Sequence, residues 1–152
     1  MQSGPQSPER PGSLDLVGQW RARMSFVDGD FAAVSGLEFM YVFNVGGTMT
    51  ESSNYDAAPP VPPAYGIWRQ VGPGRFEARY EFYPTAPPRA ADELMAGGGW
   101  LPAGRGLFSE TITLAGDGAT YASTVSYEPF DADGAPLPGG GRGSAAGVRL
   151  RF

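Results

Sequence analysis

The sequence predicts an all-β fold, an eight-stranded antiparallel up-and-down barrel with long loops at its mouth. Three observations carry that reading. Apolar side chains recur at every second position in one segment after another. Turn-forming Gly and Pro clusters separate those segments at short spacing. The 3.6-residue period of a helix is almost absent. The chain has 152 residues, 41% of them hydrophobic, which suits one domain with a real core. Its 23 Gly and 15 Pro fall between the apolar runs, so they mark loops. Eight strands joined mainly by hairpins favour closure, because a closed sheet has no exposed edge. A jelly roll or open sandwich is the alternative architecture.

The elements follow in order. In 20–26, Trp20, Ala22, Met24 and Phe26 alternate with Arg21, Arg23 and Ser25. In 38–44, Phe39, Tyr41 and Phe43 alternate with Met40, Val42 and Asn44. Gly46-Gly47 then supplies a hairpin turn. A third strand covers 48–54, with Met49 and Glu51 on one face, and a fourth covers 65–71. Gly72-Pro73-Gly74 leads into 75–82, where Phe76, Ala78, Tyr80 and Phe82 alternate with Arg and Glu. A sixth strand spans 107–114 and a seventh 120–128, with Tyr121, Val125 and Tyr127 in phase. Val148, Leu150 and Phe152 form an eighth, running to the last residue. Helix signals are confined to a turn near 28–34 and a short piece at 89–96 that ends at three Gly.

Residues 1–13 are polar and Pro-rich and read as a disordered arm before a barrel domain at 14–152. They hold no apolar core of a secretory signal, and no stretch matches a membrane span, so a cytoplasmic protein is expected. A net charge of -5 argues against nucleic acid. Neither nucleic acid nor membrane is an expected partner; the macromolecular partner left open is a second copy, as a homodimer.

The residues missing from the chain narrow its chemistry. There is no Cys and no His, and all 11 basic residues are Arg. Thiolate nucleophiles, His-based triads and Cys- or His-ligated metals are excluded within one chain. A lysine Schiff base is excluded as well. Asp, Glu and Tyr are left to move protons, and Arg to bind negative charge. No cofactor and no metal are expected. Asp131-Ala132-Asp133-Gly134 starts like a calcium loop but lacks the later ligands, and reads as a turn. The Gly-rich run at 139–143 has no phosphate-loop context.

Gly18-Gln19-Trp20 at the head of the first strand resembles the Gly-x-Trp signature of the lipocalins and the wider calycin group. The resemblance implies a barrel in which Trp20 plugs the closed end and a late basic residue, Arg149 or Arg151, packs across its ring. It covers most of the chain in pattern and only a handful of residues in identity. The family's Thr-Asp-Tyr motif and long C-terminal helix are absent.

If the strand faces point inward as read, two carboxylates enter an apolar lumen. Glu51 is in phase with Met49, and Glu110 with Phe108, Ile112 and Leu114. Burial would raise their pKa values and fit them for general acid or base work. Arg69 and Arg105 are candidate partners for these carboxylates or for an anionic ligand group. Tyr41, Met49, Tyr65, Trp68, Tyr80 and Tyr121 are the expected cavity lining. Which of Ile67 and Trp68 faces inward is left open. Loops 54–64, rich in Pro, and 84–104, bearing Trp100, suit the rim and flap of a gated mouth. Two functions compete: binding of a largely apolar small molecule in the lumen, and a cofactor-free cyclase or isomerase in the same lumen, of the kind that closes rings in natural-product biosynthesis. A filled barrel with a structural or partner-binding role is the third reading.

Overall fold

The computed structural model describes residues 15–55, 62–90 and 92–152. The N-terminal arm read at 1–13, with most of the polyproline rim, lies outside the described residues.

Eight strands close into an antiparallel barrel: β1 (Gly18–Phe26), β2 (Glu38–Phe43), β3 (Thr48–Ser53), β4 (Ala64–Gly72), β5 (Arg75–Phe82), β8 (Arg105–Leu114), β9 (Thr120–Phe130) and β10 (Gly141–Arg149). Each pairs with its neighbours along the chain, and β10 closes on β1. The other elements sit in the loop between β5 and β8. They are the two-residue strands β6 (Thr85–Ala86) and β7 (Leu101–Pro102), and the short helix α1 (Asp92–Met95).

The alternating pattern becomes an inside and an outside. Trp20, Ala22, Met24 and Phe26 of β1 are buried, as are Phe39, Tyr41 and Phe43 of β2 and Phe76, Ala78 and Tyr80 of β5. The intervening Arg21, Arg23, Arg75 and Arg79 are exposed. Among the described residues no helix is long and apolar enough to cross a membrane.

The last strand corrects the sequence reading. It runs over Gly141–Arg149, not 148–152, and Val148 and Leu150 are exposed. Its inward positions are Gly143, Ala145 and Gly147. A Cβ at Gly143 would lie 2.3 Å from the Ser25 carbonyl oxygen, and one at Gly147 2.3 Å from the Tyr121 ring. Only small residues fit there, so the strand shows no apolar alternation to read.

The two ends of the barrel differ. At one end the connections are tight: Gly46 and Gly47 turn with φ of 97° and 96°, and Gly74 and Gly118 with 65° and 69°. The four longer connections, from β1 to β2, β3 to β4, β5 to β8 and β9 to β10, leave and re-enter the barrel at the other end. In the last of these the Asp131 carboxylate accepts the backbone N–H groups of Asp133 and Ala135, which makes it a turn.

Trp20 and Arg149 seal the tight end. Trp20 has no exposed surface and donates from Nε1 to the Leu16 carbonyl at 2.9 Å. Register sets Arg149 opposite Trp20, and the guanidinium carbon lies 4.4 Å from the ring centre. That guanidinium also donates to the carbonyls of Asp15, Val17 and Gly118. It therefore ties the entering chain and the β8–β9 turn to the barrel floor. Gly18 has a φ of 134°, and a Cβ there would sit 3.0 Å from Arg149 Nη1.

Candidate functional site

The lumen is packed with aromatic rings. Phe108 sits at the centre of the half nearer the long loops. Its ring centre is 5.1 Å from Tyr80, 5.3 Å from Phe39, 5.6 Å from Phe82 and 5.0 Å from Tyr127. Phe31, from the β1–β2 connection, closes over this cluster at 5.9 Å from Phe108 and 4.7 Å from Tyr127. The tight end is filled by Trp20 against Tyr121 and by Trp68 against Phe43 and Phe76.

A polar cluster is set into this apolar filling. The pleat of β8 that buries Phe108 and Ile112 also buries Glu110, which is 2% exposed. Tyr41 from β2 donates to Glu110 Oε1 at 2.9 Å, and Tyr80 from β5 donates to the same oxygen at 2.6 Å. Ser123 from β9 donates to Oε2 at 2.6 Å. The two phenol oxygens lie 3.0 Å apart. Burial pushes the Glu110 pKa up, and the hydrogen bonds from Ser123, Tyr80 and Tyr41 offset this in part. Burial, and next the nearby Glu110 carboxyl, hold the Tyr41 and Tyr80 phenols far above their usual range. Burial raises Tyr121 too, and it raises Tyr127 to about 12 with help from Asp30.

The raised Glu110 value has a sign for stability. Above its ordinary value of 4.5 the unfolded chain loses this proton before the native state does. The native state then binds more protons, so stability falls as pH rises. Glu110's contribution is full below that value and is lost toward its folded pKa. Glu110→Gln is expected to flatten this decline, by at most about 1.4 kcal/mol per pH unit. Denaturation midpoints of both proteins across about pH 4 to 8 measure it; parallel curves would contradict the shift.

Glu51 is buried at 5% on β3, directly opposite Tyr41 in the β2–β3 register. It borders a small cavity of about 70 Å³, together with Phe31, Phe39, Tyr55, Phe82 and Phe108. That volume suits a water or two, not a drug-sized molecule. The cavity lies at the long-loop end. A larger hollow, about 870 Å³, is on the outer face of the sheet. Ser109, Thr111, Thr124 and Ser126 floor it, between the exposed Arg69, Arg79 and Arg142. It is open to solvent; Glu110 is among the residues that border it, but its carboxyl is hydrogen-bonded on the lumen side to Tyr41, Tyr80 and Ser123.

The expected site residues divide accordingly. Tyr41, Tyr80 and Glu110 come together in the lumen, while Met49 and Tyr121 are buried in the same interior. Trp68 takes the inward side of β4 and Ile67 the outward side, 64% exposed. Trp68 is only half-buried, at the tight end, where its Nε1 donates to the Asn44 carbonyl. Tyr65 is on the outer face, 66% exposed, and does not line the lumen. Trp100 is half-buried next to β7 and is not among the residues lining the cavity beside Glu51. Arg69 and Arg105 pair with Glu77 and Glu81 on the outer surface, not with either buried carboxylate. Ser123 was missed. Its position in phase with Tyr121 and Val125 was the available signal. Among the described residues no group of acidic side chains is arranged to hold a metal ion. No family model matches the chain, and none of the curated proteins matches it in sequence.

Proposed function

We propose that this protein binds one small, largely apolar molecule in the half of its lumen next to the long loops. The observation that supports the reading is the contrast between the two ends. The tight end is stapled by Arg149 across Trp20 and three backbone carbonyls. The other end is closed by side chains from connecting loops, Phe31 and Tyr55, over a cavity that already exists. Loop side chains move at far smaller cost than paired strands. Displacing Phe31, which itself lines the cavity, would widen it over Phe108 and Tyr127. The affinity would come from apolar area removed from water, at roughly 25 cal/mol per Å². The lipocalin-like features of the sequence, Gly18, Trp20 and Arg149, support the same reading.

The test is a fluorescence titration with N-phenylnaphthylamine, a neutral apolar probe that brightens out of water. The wild-type protein is expected to bind it saturably at one site. Phe31→Ala is expected to bind it several-fold more tightly. No binding by either protein would overturn the reading.

A second reading, a cofactor-free isomerase or cyclase in the same lumen, draws on the two buried carboxyl groups. Glu110 and its tyrosines would donate hydrogen bonds to a reacting oxygen, and Glu51 would accept a proton. A bound molecule recovered unchanged after long incubation supports the carrier. Conversion that stops in Glu110→Gln supports the enzyme.

A further inference from the structure

The protons of the Glu110 cluster can be counted. Four short contacts join five oxygens: Tyr41 to Oε1, Tyr80 to Oε1, Ser123 to Oε2, and Tyr41 to Tyr80. With the carboxyl ionised, three hydroxyl protons serve four contacts. Tyr41 and Tyr80 both spend theirs on Oε1, and their own oxygens stand 3.0 Å apart with no proton between them. With the carboxyl protonated there are four protons for four contacts. Oε1–H donates to one phenol, that phenol to the other, and the second phenol back to Oε1. Ser123 donates to Oε2. Every short contact is then a hydrogen bond, in a closed ring whose members polarise one another.

The surroundings agree. The groups facing Glu110 are Tyr41 of β2, Tyr80 of β5, and Ser123 and Tyr121 of β9, with Glu51 of β3 in the same lumen. None is a cation. Arg149, the inward-facing arginine at the tight end, is committed to Trp20 and to backbone carbonyls. Among the described residues an ionised Glu110 would be a buried anion with no positive charge beside it, which is costly. Tyr121 is 3% exposed, and its hydroxyl stands beside that of Tyr41 at the edge of the ring, with no fully formed hydrogen bond among the described residues. A buried hydroxyl so placed can still donate to a further acceptor oxygen.

We infer that Glu110 carries a proton at neutral pH and that the lumen selects a neutral molecule bearing a carbonyl oxygen, not an amine. The ligand class rests on the binding function proposed above; the proton on Glu110 does not. A carbonyl oxygen accepts one or two hydrogen bonds and brings no charge. It can replace one member of the ring without leaving an ion behind. A protonated amine has no lone pair to accept a proton from the ring, and it would set a charge beside groups that are neutral.

Two measurements test the two halves. Infrared spectra of the wild-type protein at neutral pH are expected to hold a protonated-carboxyl C=O band that Glu110→Gln removes and Glu51→Gln leaves. A wild-type spectrum without it, or a band that survives Glu110→Gln, would overturn the protonated carboxyl. For the ligand class, acetylnaphthalene and naphthylethylamine share one skeleton and differ in the ketone or ammonium group. The ketone is expected to displace N-phenylnaphthylamine at concentrations at least about tenfold lower than the amine. Equal potency, or a stronger amine, would overturn the ligand class while the binding function stands. If the naphthylamine probe itself fails to bind, the function reading falls and takes the ligand class with it. The infrared result is still decisive for the proton.

Discussion

Trp20→Ala is expected to lower the unfolding free energy by about 3–5 kcal/mol, the range for truncating a fully buried large aromatic. Trp20 has no exposed surface and meets the Tyr121 ring at 5.0 Å. Its loss opens a cavity at the tight end, leaves the Leu16 carbonyl without the indole N–H, and takes the ring from beneath Arg149. For a chain of this size the melting temperature should fall on the order of 10 °C. Trp20→Phe separates the contributions. It keeps an aromatic face for the guanidinium but cannot donate to Leu16, which costs roughly 1 kcal/mol for the bond plus the lost volume. Urea denaturation of the three proteins measures this. If Trp20→Ala and Trp20→Phe cost the same, the ring's packing and its contact with Arg149 contribute little.

Phe108→Ala should be about as destabilising, again near 3–5 kcal/mol, but it should also strengthen binding. Phe108 is the hub between Tyr80, Phe39, Phe82 and Tyr127, and it borders the cavity beside Glu51. Removing the ring enlarges that cavity from about 70 Å³ toward a volume that holds an aromatic molecule. A bound ligand recovers stability by mass action. The expected result is a protein that melts lower than wild type when free, and whose melting temperature rises more on adding N-phenylnaphthylamine. A variant destabilised without any gain in binding would mean that the surrounding rings collapse into the space.

These variants touch residues whose place was legible to different degrees. β1 and β5 were readable because strongly apolar and charged side chains alternate without interruption, from Trp20 to Phe26 and from Arg75 to Phe82. Phase alone brought Tyr41, Tyr80 and Glu110 to one interior. The resemblance carried by Gly18 and Trp20 left Arg149 and Arg151 as alternatives for the residue across the Trp20 ring, and the register of β1 with β10 selects Arg149. β10 was hidden because its inner face must be Gly and Ala, and the visible alternation of Val148, Leu150 and Phe152 is on the outside. Tyr65 was read inward for a related reason. The inner neighbour on β4 is Gly66, where a Cβ would lie 2.6 Å from Tyr80 Cα, so the inner face has no side chain at the position next to Tyr65. Ser123 carries no apolar signal at all, although it supplies the hydrogen bond to Oε2. Alternation also assigns faces without saying whether side chains meet across the barrel. That the rings of Phe31, Phe82 and Phe108 fill the half of the lumen nearer the long loops follows from contacts between a connection and two strands, which only the fold brings together.

The central claim is that ligand enters the barrel and does not settle in the larger hollow on its outer face. Methyl NMR during titration with N-phenylnaphthylamine tests this most directly, because methionine and isoleucine methyls mark both places. Met24 and Met49 are buried in the lumen, Ile67 borders the outer hollow, and Met40 is exposed on the outer face of β2. Met24, on the side of the long loops, is expected to shift most and Met49, nearer the tight end, less, while Ile67 and Met40 stay in place. Shifts at Ile67 with Met24 and Met49 unmoved would contradict it.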